Sequence, residues 1–361
     1  MKRKKNFFAG PSVLPLEVLE EMRNQIFEYD NNGFSIVEAS HRGAAFDNLY
    51  HDCLDLMRDL LSIPDNYSVF FLGGGASLQF AMIPMNFLPA DKTADYVKSG
   101  SWSNKACDDA QKSGNVRVAF DGKNTGYTTL PDPKTVSIPE DSAYYYLCSN
   151  ETIGGIEWQS WPETGNVPLI ADMSSDIFSR PVPVEKFSMI YGGVQKNLGP
   201  AGATFVIIRN DLLDRIPDNL PAYLDYRTHS KADGLYNTPP VFSIWGVKLV
   251  LEWIKKMGGV SAMQERAIEK SALIYNAIEE SNGFYKSPVA PLYRSKMNIV
   301  FRLPTPELEA EFIAETVKLG MLGLKGHRSV GGCRASVYNA LPKDDVVFIR
   351  NFMRKFAASK S

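Results

Sequence analysis

Cysteine is scarce in this chain: Cys53, Cys107, Cys148 and Cys333 are the only four in 361 residues, and they are too far apart to form a CxxC pair. That spacing argues against a zinc ribbon, any other metal centre of the Cys type and a disulfide framework, and it suits a reducing, cytoplasmic compartment. Net charge is nearly lacking as well. A formal charge of −2 at pH 7 gives no electrostatic reason to bind nucleic acid or an anionic membrane. Apolar runs of membrane-spanning length are missing. The basic residues 1–5 are followed at 6–11 by NFFAGP, turn residues where a secretory signal requires an apolar stretch. The chain also lacks an internal repeat, a low-complexity tract, a GxGxxG fingerprint and the Gly-Lys-Ser/Thr ending of a nucleotide-binding loop.

What remains has the composition of a globular enzyme acting on small molecules, 44% apolar and 22% charged. At 361 residues it exceeds the size at which one core usually stops growing, which predicts a large domain with a smaller one. Between residues 68 and 208, β-rich runs alternate with helix-like segments, the pattern of an α/β sheet with helical crossovers. Strands are expected at 68–72, 94–98, 116–120, 143–148, 167–171, 189–191 and 204–208. Helices fit 76–87 and 103–112, the second with Ser101 as its cap. Two long helices, 241–257 and 260–281, follow, separated by Gly258-Gly259. A last lobe is read as strand 298–303, helix 307–319, strand 333–338 and helix 344–356, an α+β arrangement.

Three positions suggest chemistry. The Gly73-Gly74-Gly75-Ala76-Ser77 loop lies between a strand and a helix, where backbone N–H groups and the helix dipole favour an anion; a turn that needs glycine for backbone reasons alone is the other reading. Asp172 closes an apolar strand, where a carboxylate can pair with a cationic ring nitrogen or cap the next turn. Lys196 sits in a Gly-flanked loop after another buried strand, where desolvation would free its amine for imine formation, whereas most lysines are solvated charges. Together they match the three fixed points of pyridoxal phosphate: phosphate, ring nitrogen and aldehyde. Trp102 offers an indole for stacking or for packing. His41-Arg42, His327-Arg328 and Arg334 offer cations for a dianionic substrate, or surface ion pairs.

These residues lie in a series of motifs that resembles one family along nearly the whole chain. The motifs are NFFAGP at 6–11, Ser40-His41-Arg42, GGGAS at 73–77 followed by Gln79-Phe80, Gly100-Ser101-Trp102, SNETIGG at 149–155 and DMSS at 172–175. QKNLGPAG at 195–202, YNTPP at 236–240 and GHRSVGG at 326–332 complete the set. The resemblance is to the phosphoserine aminotransferases, within the class V aminotransferases of fold type I. It implies a large domain, 16–257, with a mainly parallel seven-stranded sheet sandwiched by helices, a small α+β domain, 258–361, and an N-terminal segment, 1–15, packed with the small domain.

The resemblance also implies roles. Lys196 would join the aldehyde of pyridoxal 5′-phosphate as a Schiff base, Asp172 would keep the ring nitrogen protonated, Trp102 would stack on the ring and Thr152 would bond the ring hydroxyl. Ala76, Ser77, Ser174 and Gln195 would meet the phosphate, joined by Asn237 and Thr238 of a second subunit, so that a homodimer completes the site. Arg334 would take the substrate α-carboxylate. His41, Arg42, His327 and Arg328 would take the phosphate of phosphoserine or the side-chain carboxylate of glutamate. The implied reaction is a reversible ping-pong transamination of 3-phosphohydroxypyruvate with glutamate, giving O-phospho-L-serine and 2-oxoglutarate. A related phosphorylated oxo acid of vitamin B6 synthesis is a substrate within the same family. Some relatives carry arginine directly after the three glycines; Ala76-Ser77 here would leave the phosphate on backbone groups and a hydroxyl. A serine–pyruvate or alanine–glyoxylate transaminase is the alternative, and needs no dianion clamp. A noncatalytic protein on the same fold is the rival from another class, and the joint presence of lysine, aspartate and tryptophan argues against it.

Overall fold

The computed structural model describes residues 3–360 and has a seven-stranded sheet at its centre. Its strands are β1 (Tyr67–Leu72), β2 (Thr93–Lys98), β3 (Asn115–Asp121), β4 (Ser142–Cys148), β5 (Leu169–Asp172), β6 (Met189–Gly193) and β7 (Thr204–Arg209). They lie in the order β1-β7-β6-β5-β4-β2-β3. Every pairing is parallel except the two made by β7. The carboxyl ends of the other six strands therefore share one edge, where ligands bind in open α/β sheets.

The expected strands agree with these to within a residue or two, and 167–171 differs for a visible reason. The Val167 N–H closes a turn onto the Thr164 carbonyl, so pairing starts only after Pro168 and runs to Asp172. Strands β4, β6 and the first five residues of β7 are buried throughout, as expected for strands covered on both faces. Alternation then divides them between two cores. Tyr145, Leu147, Ala171, Ile190, Phe205 and Ile207 face one core, with Phe46, Met57, Ile244 and Leu251 of the helices α2 (Ala44–Leu61) and α5 (Val241–Lys256). Tyr144, Tyr146, Ile170, Tyr191, Val206 and Ile208 face the other, with Phe80, Ile83, Phe87 and Cys107 of α3 (Gly75–Phe87) and α4 (Ser101–Ala110).

A third core gathers Phe7 and Val13 with Ile274 and Ile278 of α6 (Gly259–Glu279), the strands β8 (Asn298–Phe301) and β9 (Cys333–Ser336), and the helices α7 (Pro306–Lys318) and α8 (Lys343–Lys360). The segment Lys5–Asn6 pairs in parallel with Met321–Leu322. Helix α6 opens at the glycine pair, Gly258 with φ +101° and Gly259 with φ +74°, a region where only glycine is relaxed. It then bridges the cores, with Met263 in the first and Ile274 in the third. A buried polar seam joins the same parts. Asn150 Nδ2 donates to Asn298 Oδ1 at 2.9 Å, Asn298 Nδ2 donates to Ser336 Oγ at 3.0 Å, and the Asn339 N–H donates to Asn197 Oδ1 at 3.1 Å.

Candidate active site

Lys196 lies in the loop between β6 and β7, at the carboxyl edge of the sheet. Its Nζ donates to Thr152 Oγ1 at 2.7 Å and stands 5.4 Å from the centre of the Trp102 ring. Burial pushes the amine below the ordinary lysine range, and Arg334 adds to this, while Asp172, Cys148 and Glu151 pull it back up. The loop is pinned from outside: Ser12 donates its N–H to the Gln195 carbonyl at 3.0 Å and its hydroxyl to the Lys196 carbonyl.

Asp172, the last residue of β5, is 4% exposed. Its Oδ1 accepts from the backbone N–H of Ser174 at 2.8 Å and from Ser174 Oγ at 2.6 Å. One oxygen thus closes the turn, as the capping reading expects, and the other makes no hydrogen bond among the described residues. Burial raises its pKa, opposed by the Lys196 charge and the Ser174 bonds. Ser174 in turn accepts from the Gly193 N–H at 3.1 Å, so its hydroxyl is committed to holding Asp172 against β6.

Helix α4 begins two residues earlier than its sequence suggests. Ser101 is inside it, and the capping role falls to Glu151 instead of Ser101. The Glu151 carboxylate, fully buried, accepts from the N–H groups of Trp102 at 3.0 Å and Ser103 at 2.8 Å and from Ser103 Oγ at 2.7 Å. A Cβ on Gly100 would lie 2.6 Å from Glu151 Cδ, so the Gly-Ser-Trp motif is built for this contact. Glu151 thereby fixes the indole relative to its own neighbour Thr152. The sequence reading had Glu151 inside a motif without a role, because Ser101 already served there as the cap and the contact spans 48 positions.

At the start of α3, Gly74 has φ +84° and Gly75 φ +69°, and no side chain caps the first turn. Ala76 and Ser77 thus begin a helix whose N–H groups are free for an anion. Gln195 lies on the Lys196 loop, next to Lys196. On the other side, Arg334 of β9 donates Nη1 to the Thr152 carbonyl at 3.1 Å and keeps its Nε buried without a partner. His327 is lowered below the usual imidazole range by burial, then by Arg334, Arg328 and Lys105. Lys105, which sequence reasoning missed, holds its ammonium 4.6 Å over the Trp102 ring; a position three residues along the same helix predicts such a contact.

Lys196, Asp172, Trp102, Thr152, Ser174 and Arg334 are linked by these contacts, and Arg334, Arg328 and Lys105 act together on His327. No described contact ties His41 or Arg42 to the Lys196 group; His41 Nε2 is buried without a partner. Asn237 and Thr238 are exposed, with Asn237 Nδ2 bonded only to the Thr238 carbonyl at 3.2 Å.

These groups fit pyridoxal phosphate: an uncapped helix start for the phosphate, a free carboxylate oxygen for a protonated ring nitrogen, an amine whose pKa burial lowers for the aldehyde, and an indole beside it. The family model for aminotransferase class-V matches residues 5–348. The chain is a class-V aminotransferase. Members of this family use pyridoxal phosphate, and so does this aminotransferase. It is 51% identical over 356 residues to phosphoserine aminotransferase of Geobacillus kaustophilus, with 99% of each chain covered. Among solved structures it is similar to phosphoserine aminotransferase from Bacillus circulans subsp. alkalophilus, at TM-score 0.98 and 47% identity with all of both chains covered. The PLP-bound phosphoserine aminotransferase from Trichomonas vaginalis matches at TM-score 0.92 and 38% identity, covering 98% of this aminotransferase and 100% of that chain.

Proposed function

We propose that this aminotransferase exchanges the amino group between glutamate and 3-phosphohydroxypyruvate, forming O-phospho-L-serine and 2-oxoglutarate in serine biosynthesis. The observation that carries the reading is a set of cations without carboxylate partners: Arg334, whose charge acts on Lys196, and Arg328 and Lys105, whose charges act with that of Arg334 on the neutral His327. None of these three cations makes an ion pair with a carboxylate among the described residues. An uncompensated cationic pocket suits substrates with two anionic ends, such as phosphoserine and glutamate, and is wasted on alanine. The names of the full-length relatives support the same substrate over alanine–glyoxylate or serine–pyruvate exchange.

When bound, pyridoxal phosphate supplies an electron sink through its protonated ring and an aldehyde that carries the amino group. The chain does the rest. Arg334 takes the α-carboxylate with its free Nε, which orients the Cα–H bond of the substrate. The Nζ of Lys196, held by Thr152 and made less basic by burial, takes the Cα proton and returns it on the acceptor. Asp172 offers its free oxygen to the ring nitrogen while Ser174 holds the other. Ala76, Ser77, Ser174 and Gln195 would meet the cofactor phosphate. His41 and Arg42, which make no described contact with the Lys196 group, and the exposed Asn237 and Thr238 belong to the same proposal as contributions across a homodimer. Its division into segments 1–15, 16–257 and 258–361 is supported by the third core, and a cytoplasmic location by four free, buried cysteines. No described helix is long and apolar enough to cross a membrane.

The test is turnover: glutamate formed from 2-oxoglutarate with O-phosphoserine, serine or alanine as donor. The expected result is a kcat/KM for phosphoserine about a hundredfold above that for serine, as charged hydrogen bonds to a phosphate would give. Equal rates with all three donors would overturn the reading.

A further inference from the structure

Helix α4 and the loop 326–331 face each other across a cavity of about 240 Å³, whose walls include Gly100 and Ser101 on one side and Gly326, Val330 and Gly331 on the other. His327 and Arg328 stand on that loop. Lys105 stands on the first turns of the helix, and its ammonium is 4.6 Å over the Trp102 ring. Its charge reaches His327, whose imidazole it helps to hold neutral. Lys105 is exposed and makes no hydrogen bond or ion pair with any described residue. Asp108, one helical turn on, leaves it free; Asp109 pairs with Lys112 at 2.6 Å instead. A flexible ammonium in this position is steered by the indole face rather than by a carboxylate.

From this we propose that Lys105 is a substrate-binding residue that takes the distal anionic group, phosphate or carboxylate, together with His327 and Arg328. The role rests on the phosphoserine reading above. The indole holds the ammonium over the same ring whose centre lies 5.4 Å from Lys196 Nζ, and an arriving dianion finds a cation that has no carboxylate to give up. Lysine acts here as a mobile point charge, able to follow either the longer phosphate or the shorter carboxylate, where the planar fork of arginine is tied to one geometry.

The experiment compares the cofactor-loaded wild type with Lys105→Met, which keeps the aliphatic stem on the indole, and Lys105→Arg, which keeps the charge. Steady-state kcat and KM are measured for O-phosphoserine, glutamate and alanine. The expected result for Lys105→Met is a KM for phosphoserine raised about tenfold, the size of one charge-assisted contact, a smaller rise for glutamate, and kcat and the alanine reaction unchanged. Lys105→Arg recovers most of the loss. Equal loss on all three donors would assign Lys105 to packing on Trp102 and overturn the role, as would an unchanged KM for phosphoserine. Wild type that fails to prefer phosphoserine removes the substrate reading itself, an outcome visible before any variant is made.

Discussion

At the scale of the residue, the site depends on one amine and one carboxylate held apart by different partners. Burial lowers the pKa of Lys196, and Asp172 is the strongest influence raising it. Removing that carboxylate charge therefore lowers the lysine pKa further. Aldehyde capture requires the free amine, so the rate at which apoprotein forms its visible absorbance band with pyridoxal phosphate falls off with acid around the Lys196 pKa. This midpoint lies below that of free lysine in the wild type and moves to lower pH in Asp172→Asn; a midpoint that stays or rises would contradict the coupling. Lys196→Ala abolishes the band and lowers transamination by about 10²–10⁴-fold, the usual contribution of a positioned acid–base group.

At the scale of the element, the start of α4 is where sequence and structure part most usefully. The run beginning at Ser103 looked helical and Ser101 looked like its cap, because local patterning sees only nearby side chains. The actual cap comes from Glu151, 48 positions beyond Ser103 and bonded to it, and no local signal contains that distance. Strands 143–148 and 204–208 were legible since both faces are buried and the composition is mainly apolar. Helices α1 (Leu16–Gln25) and α2 went unread although Phe46, Leu49, Tyr50, Cys53 and Met57 recur at helical spacing and are all buried; the signal was present in α2 and needed only the period to be counted. Among site residues, the motifs gave Lys196, Asp172 and Trp102 their places, while Glu151 and Lys105 emerged only once the helix register was known. Because Gly100 has extended backbone, its requirement for glycine is steric. Gly100→Ala drives a Cβ into Glu151 and destabilises the fold by about 1–3 kcal/mol, read as a lower midpoint in urea together with a perturbed cofactor band. A variant of wild-type stability and spectrum would remove the Glu151 contact from the account.

At the scale of the whole molecule, the two lobes meet through hydrogen-bonded amides rather than a purely apolar seam. Asn150, Asn197, Asn298 and Asn339 are all buried, so Lys196 and Arg334 are fixed relative to each other from behind. The chain alone leaves Asn237 and Thr238 pointing at solvent, and the proposed homodimer gives them work. Chains carrying Lys196→Ala and chains carrying Asn237→Ala with Thr238→Ala, refolded together in equal amounts, regain about a quarter of the wild-type sites, since half of randomly paired dimers are mixed and each holds one intact site. Activity no higher than the sum of the separate variants would place those residues outside the neighbouring site.

The central claim, one lysine-centred site selective for doubly anionic amino acids, is tested most directly by a half-reaction titration. O-phosphoserine, serine or alanine is added alone to the cofactor-loaded protein, and loss of the visible band is followed as the cofactor accepts the amino group. The account predicts conversion by phosphoserine, and by glutamate in a parallel run, at concentrations where serine and alanine leave the band unchanged. Equal conversion by alanine would leave the lysine chemistry standing and contradict the cationic pocket as the source of selectivity.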